Sequence, residues 1–99
     1  MRYQFDAVLY RWTARRELWT FVDLPAEAGR EIREVVGSLT GGFGSVRVDA
    51  RIGASRFRTS IFPGADGTYV LPVKRAVRDA EGLTLDALVR GVVVELVDH

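Results

Sequence analysis

Apolar and polar residues alternate on both sides of Gly53-Ala54, and this constrains the chain more than any other feature. Val46, Val48, Ala50 and Ile52 alternate with Arg47, Asp49 and Arg51; Phe57, Thr59 and Ile61 alternate with Arg56, Arg58 and Ser60. A period of two belongs to a β-strand with one buried face. A two-residue link with Gly first suits a tight hairpin turn, and such a turn sets the pairing. Ile52 lies opposite Ser55, Arg51 opposite Arg56, Ala50 opposite Phe57 and Asp49 opposite Arg58. All the apolar members then share one face, which a slip of one residue would not allow.

The same pattern opens the chain, where Tyr3, Phe5, Ala7 and Leu9 alternate with Arg2, Gln4, Asp6 and Val8. A polar stretch from Arg11 to Glu17 interrupts it, and Leu18 to Leu24 is rich in β-favouring residues, so the two segments are expected to form a hairpin with a long connection. From Pro25 the period changes. Ala28, Ile32, Val35, Val36 and Leu39 form one stripe on a helix, which begins at a proline that loses no amide bond there and ends in the glycines of 40–44. Residues 63–67 (PGADG) read as a turn and 68–71 as a short strand ended by Pro72. Residues 73–80 allow about two helical turns, stopped by Gly82 in a left-handed conformation with Leu83 folding back onto Val77 or Ala80. The last strand lies within 88–97. Its start is placed near Gly91, because 85–90 can also extend a helix. The expected class is mainly β, with one amphipathic helix after the second strand and one short helix before the last.

With 99 residues, the chain buries roughly 60–65% of its unfolded surface, enough for one core and hence a single domain over 1–99. There is no cysteine, which excludes disulfides, thiolate metal sites and thiol nucleophiles, and leans towards a reducing compartment. No apolar run approaches the ~20 residues of a membrane helix, and the alternating start does not resemble a signal peptide. A cytoplasmic protein is expected. The single histidine, His99, is terminal, so Ser45, Ser55 and Ser60 have no base within the core. The glycines of TGGFG follow a helix and precede a strand, the reverse of a phosphate-cradling loop. Asp66 is explained by turn geometry, and Glu27 and Glu31 by the helix terminus. No catalytic residue, cofactor or metal is expected.

What remains is charge. The hairpin register gathers Arg47, Arg51, Arg56 and Arg58 on one outer face with only Asp49 and Ser60, a local charge of +3. Arg51 and Arg56 directly opposite each other cost stability unless they splay or a bound anion neutralises them. The simpler reading is a solvated face on which Asp49 bridges Arg58 and arginine stems cover apolar surface. Residues 40–78 hold seven basic side chains against two acidic, and 79–99 one against five. Lys74, Arg75 and Arg78 would extend the basic patch if the fold brings them to the same side. Alternatively, the basic region docks on the acidic tail of its own chain or of a second copy. Among the aromatics, Tyr3, Phe5, Trp19, Phe21, Phe43 and Tyr69 are expected in the core. Trp12 lies in the polar connection, where a plug over the end of the fold is favoured over a contact site.

Three motifs occur in order: Trp19, Phe21, Val22, Leu24 and Pro25 (WxFVxLP); Phe57-Arg58-Thr59-Ser60; then Gly67, Tyr69, Leu71 and Pro72, followed by Val77-Arg78 and Gly82-Leu83. In order and spacing they resemble the bacterial family known as domain of unknown function 1905, from about Phe5 to Leu96. The resemblance implies a small double-split β-barrel, the fold class of AbrB-like regulators and antitoxins, and an accessory module with no known activity. LPVKRAVRDAEGL is similar to the closing block of those regulators. The chain departs from the family in having Val92 after Gly91, where an aspartate is usual. AbrB-like proteins bind DNA as dimers through arginine-bearing loops, and no equivalent is identifiable here residue by residue.

Together these features lead to a non-catalytic binding module that holds an anionic ligand or an acidic protein partner through Arg47, Arg51, Arg56 and Arg58, with Lys74, Arg75 and Arg78 as a second lobe. Nucleic acid is the less favoured partner, since a pI near 8.2 is low for a dedicated binder and no aromatic is interleaved with the arginines. A homo-oligomerisation domain is the third reading.

Overall fold

The computed structural model describes residues 1–12, 19–40, 44–64 and 67–97. Its elements in chain order are β1 (Arg2–Val8), β2 (Tyr10–Arg11), β3 (Thr20–Asp23), α1 (Ala26–Thr40), β4 (Val46–Ile52), β5 (Ser55–Pro63), β6 (Tyr69–Pro72), α2 (Arg75–Glu81) and β7 (Leu88–Leu96). The strands form one antiparallel sheet in the order β1-β7-β4-β5-β6-β3-β2. β1 and β2 stand at opposite ends of that order, yet only Leu9 separates them in the chain. One run of backbone therefore closes the sheet on itself. Leu9 anchors the bend: its N–H donates to Ala87 O at 3.1 Å and its carbonyl accepts from Asp86 N at 2.7 Å. The result is a mainly β, nearly closed barrel with two helices, consistent with the double-split type.

The expected pairing of the first two segments needs correcting. β1 pairs with β7, and only β2 pairs with β3, Tyr10 opposite Phe21 and Arg11 opposite Thr20. A two-residue strand lies below what sequence periodicity can register. The hairpin, by contrast, forms in the expected register along its whole length, from Ile52 opposite Ser55 to Val46 opposite Ile61. Gly53 has φ +60° and Ala54 does not enter the positive region, the pattern of a turn whose first residue alone is left-handed.

The core fills from alternate strand positions. Val48, Ile61, Leu71, Val22, Val92 and Val94 are wholly buried, as is Ile32, which α1 contributes together with Ala28 and Val36. Each such side chain contributes about 1.5–3 kcal/mol on burial. α1 is tied to β1 by Tyr3 Oη donating to Glu31 Oε1 at 2.9 Å, and to the turn before β6 by Arg33 donating to Gly67 O. Glu27 and Glu31 are exposed.

β7 begins at Leu88, three residues before the expected boundary. Val8 pairs with Leu88 and Ala7 with Val89, then the register shifts, so that Arg90 and Gly91 together oppose Asp6. The extra residue is taken up as a bulge, for which Gly91 adopts φ +67° and its N–H is held by Asp6 Oδ1 at 2.8 Å. α2 ends as expected, with Gly82 left-handed and Leu83 N–H donating to Arg78 O at 2.9 Å. Among the described residues, no helix is long and apolar enough to cross a membrane. Gly41, Gly42 and Phe43 of TGGFG, Asp66 and His99 lie outside the described residues.

Candidate functional site

Alternation along β4 and β5 puts Arg47, Asp49, Arg51, Arg56, Arg58 and Ser60 on the outer face, as expected from the register. β7 and β1 then extend that face in two rows the sequence did not reveal. One row runs Arg2, Glu95, Asp49, Arg58; the next runs Gln4, Val93, Arg51, Arg56. Arg2 and Glu95 cancel, so the net charge of the face stays at +3. The two rows enclose a shallow depression of about 430 Å³.

The arginines on this face are not equivalent. Arg58 grips Asp49 with two bonds, Nε to Oδ1 at 2.8 Å and a terminal nitrogen to Oδ2 at 3.2 Å. That hydrogen bonding, helped by the fields of Arg58 and Arg47, holds the Asp49 carboxyl below the usual carboxylate range, against a smaller opposing effect of burial. Among the described residues, no carboxylate lies within ion-pair reach of Arg47, Arg51 or Arg56. Val93 faces outward in the Arg51 row and is nonetheless only 6% exposed.

Lys74, Arg75 and Arg78 do not extend this patch. They line a separate groove of about 900 Å³ that shares no residue with the depression above. The groove lies where β5 parts from β6. The two strands pair only at Phe62 with Val70 and Pro63 with Tyr69, after which β6 continues along β3. Thr59, which points to the opposite side of β5 from Arg58, lines the groove together with Trp19, Phe62 and Pro72. Arg75 pairs loosely with Asp79 at 3.6 Å, both well exposed.

The aromatics divide unexpectedly. Phe5, Phe21 and Tyr69 are buried and Tyr3 is half-buried, but Trp19 is 37% exposed, and Phe43 lies outside the described residues. Trp12 is not a plug. Because Tyr10 pairs with Phe21, alternation places Trp12 and Trp19 on the same outer wall, where Trp12 meets the Phe21 ring edge to face at 5.6 Å and stays 43% exposed. Tyr10 and Trp19 flank the same ring at 6.2 and 6.3 Å. Tyr10 Oη donates to Asp23 at 2.6 Å, and burial with that bond raises its phenol pKa above the usual value.

One contact outside both surfaces was missed from the sequence. Glu81, at the end of α2, accepts from Ser55 Oγ at 2.6 Å and from Ala54 N–H at 3.4 Å, clasping the hairpin turn. No linear motif marks a bond spanning twenty-six residues.

The family model for a domain of unknown function, DUF1905, matches residues 5–93. The chain belongs to the DUF1905 family. No curated protein matches it. The residues that carry the family resemblance fall in or beside β3, β5, β6 and α2, and five of them, Trp19, Thr59, Pro72, Arg78 and Leu83, line the groove at the split. Among the described residues, no group of three His, Cys, Asp or Glu side chains is placed to hold a metal ion, and the family's chain here has no cysteine nucleophile.

Proposed function

We propose that this DUF1905 domain is a non-catalytic, cytoplasmic binding module that holds an acidic protein segment on the outer face of β4 and β5. The observation that carries this reading is the cross-strand pair Arg51–Arg56, two cations directly opposite each other with no carboxylate within reach among the described residues. Such a pair is a cost to the free protein that a bound carboxylate removes. Arg47 adds a third uncommitted cation on the same face, while Arg58 is occupied by Asp49 and acts in positioning. A protein segment is favoured over nucleic acid because the face offers no aromatic for base stacking. Phe57, the aromatic between Arg56 and Arg58, turns to the other side of β5.

The test is binding of fluorescent poly-glutamate, followed by anisotropy in parallel with a labelled DNA duplex. The expected result is saturable binding of poly-glutamate that weakens between about 50 and 300 mM salt as screening sets in, and that R51E/R56E abolishes. Equal or tighter binding of the duplex transfers the face to nucleic acid. No binding of either polyanion at low salt overturns the reading.

A further inference from the structure

The groove at the split differs from the hairpin face in its chemistry. Its walls are apolar and open to solvent: Trp19, Phe62 and Leu85 are 37%, 41% and 37% exposed, large areas for side chains of this kind. The backbone beneath them is self-satisfied. Val73 N–H donates to Thr20 O at 2.9 Å, and Thr20 Oγ1 donates to Val73 O at 2.6 Å, so this part of the floor offers a ligand few polar groups.

Thr20 and Thr59 add hydroxyls, but the charged groups come from one side, α2 and the residue before it. Arg75 is drawn towards Asp79. Arg78 and Lys74 remain, one helical turn apart, as the Arg78 N–H bond to Lys74 O records. Arg78 is half-buried, and its Nε–H is shielded from solvent without meeting an acceptor among the described residues. A half-buried guanidinium with one shielded donor unmet is a costly place for a charge, and a carboxylate reaching the rest of that guanidinium from the groove would neutralise it. At about 900 Å³ the groove is of the size that small-molecule sites take.

A hydrated polyanion would gain nothing from the tryptophan, phenylalanine and leucine, and a neutral hydrocarbon would leave the guanidinium unanswered. We propose that this groove binds a small amphipathic monocarboxylate, its alkyl or aryl body against Trp19, Phe62 and Leu85 and its carboxylate on Arg78 and Lys74. The site is independent of the hairpin face and of whatever that face binds.

Decanoate and its neutral counterpart decan-1-ol are suitable probes. In W12F, Trp19 is the sole tryptophan and reports on the groove by its emission. Decanoate should change that emission saturably, and decan-1-ol should bind at least about tenfold more weakly. R78M keeps the apolar stem, removes the donors and should bring decanoate down to the level of the alcohol. K74Q, at an exposed position, should weaken decanoate several-fold and serves if R78M does not fold. F62S should weaken both probes, whereas R51E/R56E should change neither. The proposal is overturned by a failure of decanoate to saturate, by equal binding of the alcohol, or by loss of binding in R51E/R56E with retention in R78M or K74Q. Poly-glutamate binding by R78M reports separately on the hairpin face.

Discussion

Replacing Arg56 with glutamate should make the protein more stable while destroying the proposed acidic-partner site. Arg51 and Arg56 are direct cross-strand neighbours, Arg51 half-buried and Arg56 exposed. Opposed like charges at such a position cost roughly 0.2–1 kcal/mol, and an opposite-charge pair contributes a similar amount. R56E removes the first and adds the second, a gain of about 1 kcal/mol at low salt, or about 4–8 °C in Tm for a domain of this size. The effect is between partly solvated groups, so it should shrink by at least about half at 0.5 M salt, where the Debye length falls below the spacing of the pair. Urea denaturation of wild type, R56A, R56E, R51A and the R51A/R56E double mutant isolates the pair term, because the gain should vanish once Arg51 is removed. R56E equal to or less stable than wild type with an unchanged m value would refute the argument, as would a gain that survives removal of Arg51. Either result means that the two guanidinium groups splay apart and that the face stores no repulsion for a ligand to relieve.

Gly53 sits at φ +60° with the Glu81 carboxylate packed where a side chain would go. G53A should therefore cost about 1–2 kcal/mol from the backbone alone and more from displacing Glu81, read by urea denaturation. I32A removes a fully buried side chain of α1 and should cost about 2–5 kcal/mol, with the upper part of that range indicating that α1 cannot settle into the cavity. Burial, reinforced by the bond to Glu31 and its charge, raises the Tyr3 phenol to about 12. A folded pKa above the unfolded one gives stability that is complete below pH ~10 and lost as pH rises through about 12. Phenolate absorbance should show Tyr3 still protonated at pH 11, and Y3F should lose less stability than wild type across that window. Titration of Tyr3 near 10 would mean that neither its burial nor its contact with Glu31 persists in solution.

The legible parts of this protein are those in which local pattern and three-dimensional neighbour coincide. The hairpin register followed from seven residues on each side of a two-residue turn, because the pleat ties each residue's face to its position in the chain. The stripe Ala28, Ile32 and Val36 and the stop at Gly82 followed from helical periodicity and from the one residue that adopts a left-handed cap without strain. The arginine cluster was visible for the same reason. Its flanks were not: Glu95 and Arg2 reach it only because β7 lies between β1 and β4, a placement set by burial of Val92 and Val94 more than forty residues away in the chain.

Sequence alone thus determined which face each strand turns inward, where the turns come and which cations share the hairpin. Tertiary structure decided that Lys74, Arg75 and Arg78 belong to a different surface, that Trp12 and Trp19 lie on an outer wall, and that a bulge at Gly91 lets β7 begin three residues early. The reason is that periodicity encodes the direction of a side chain relative to its own backbone. The distance between two strands that part, as β5 and β6 do, is set by everything packed around them.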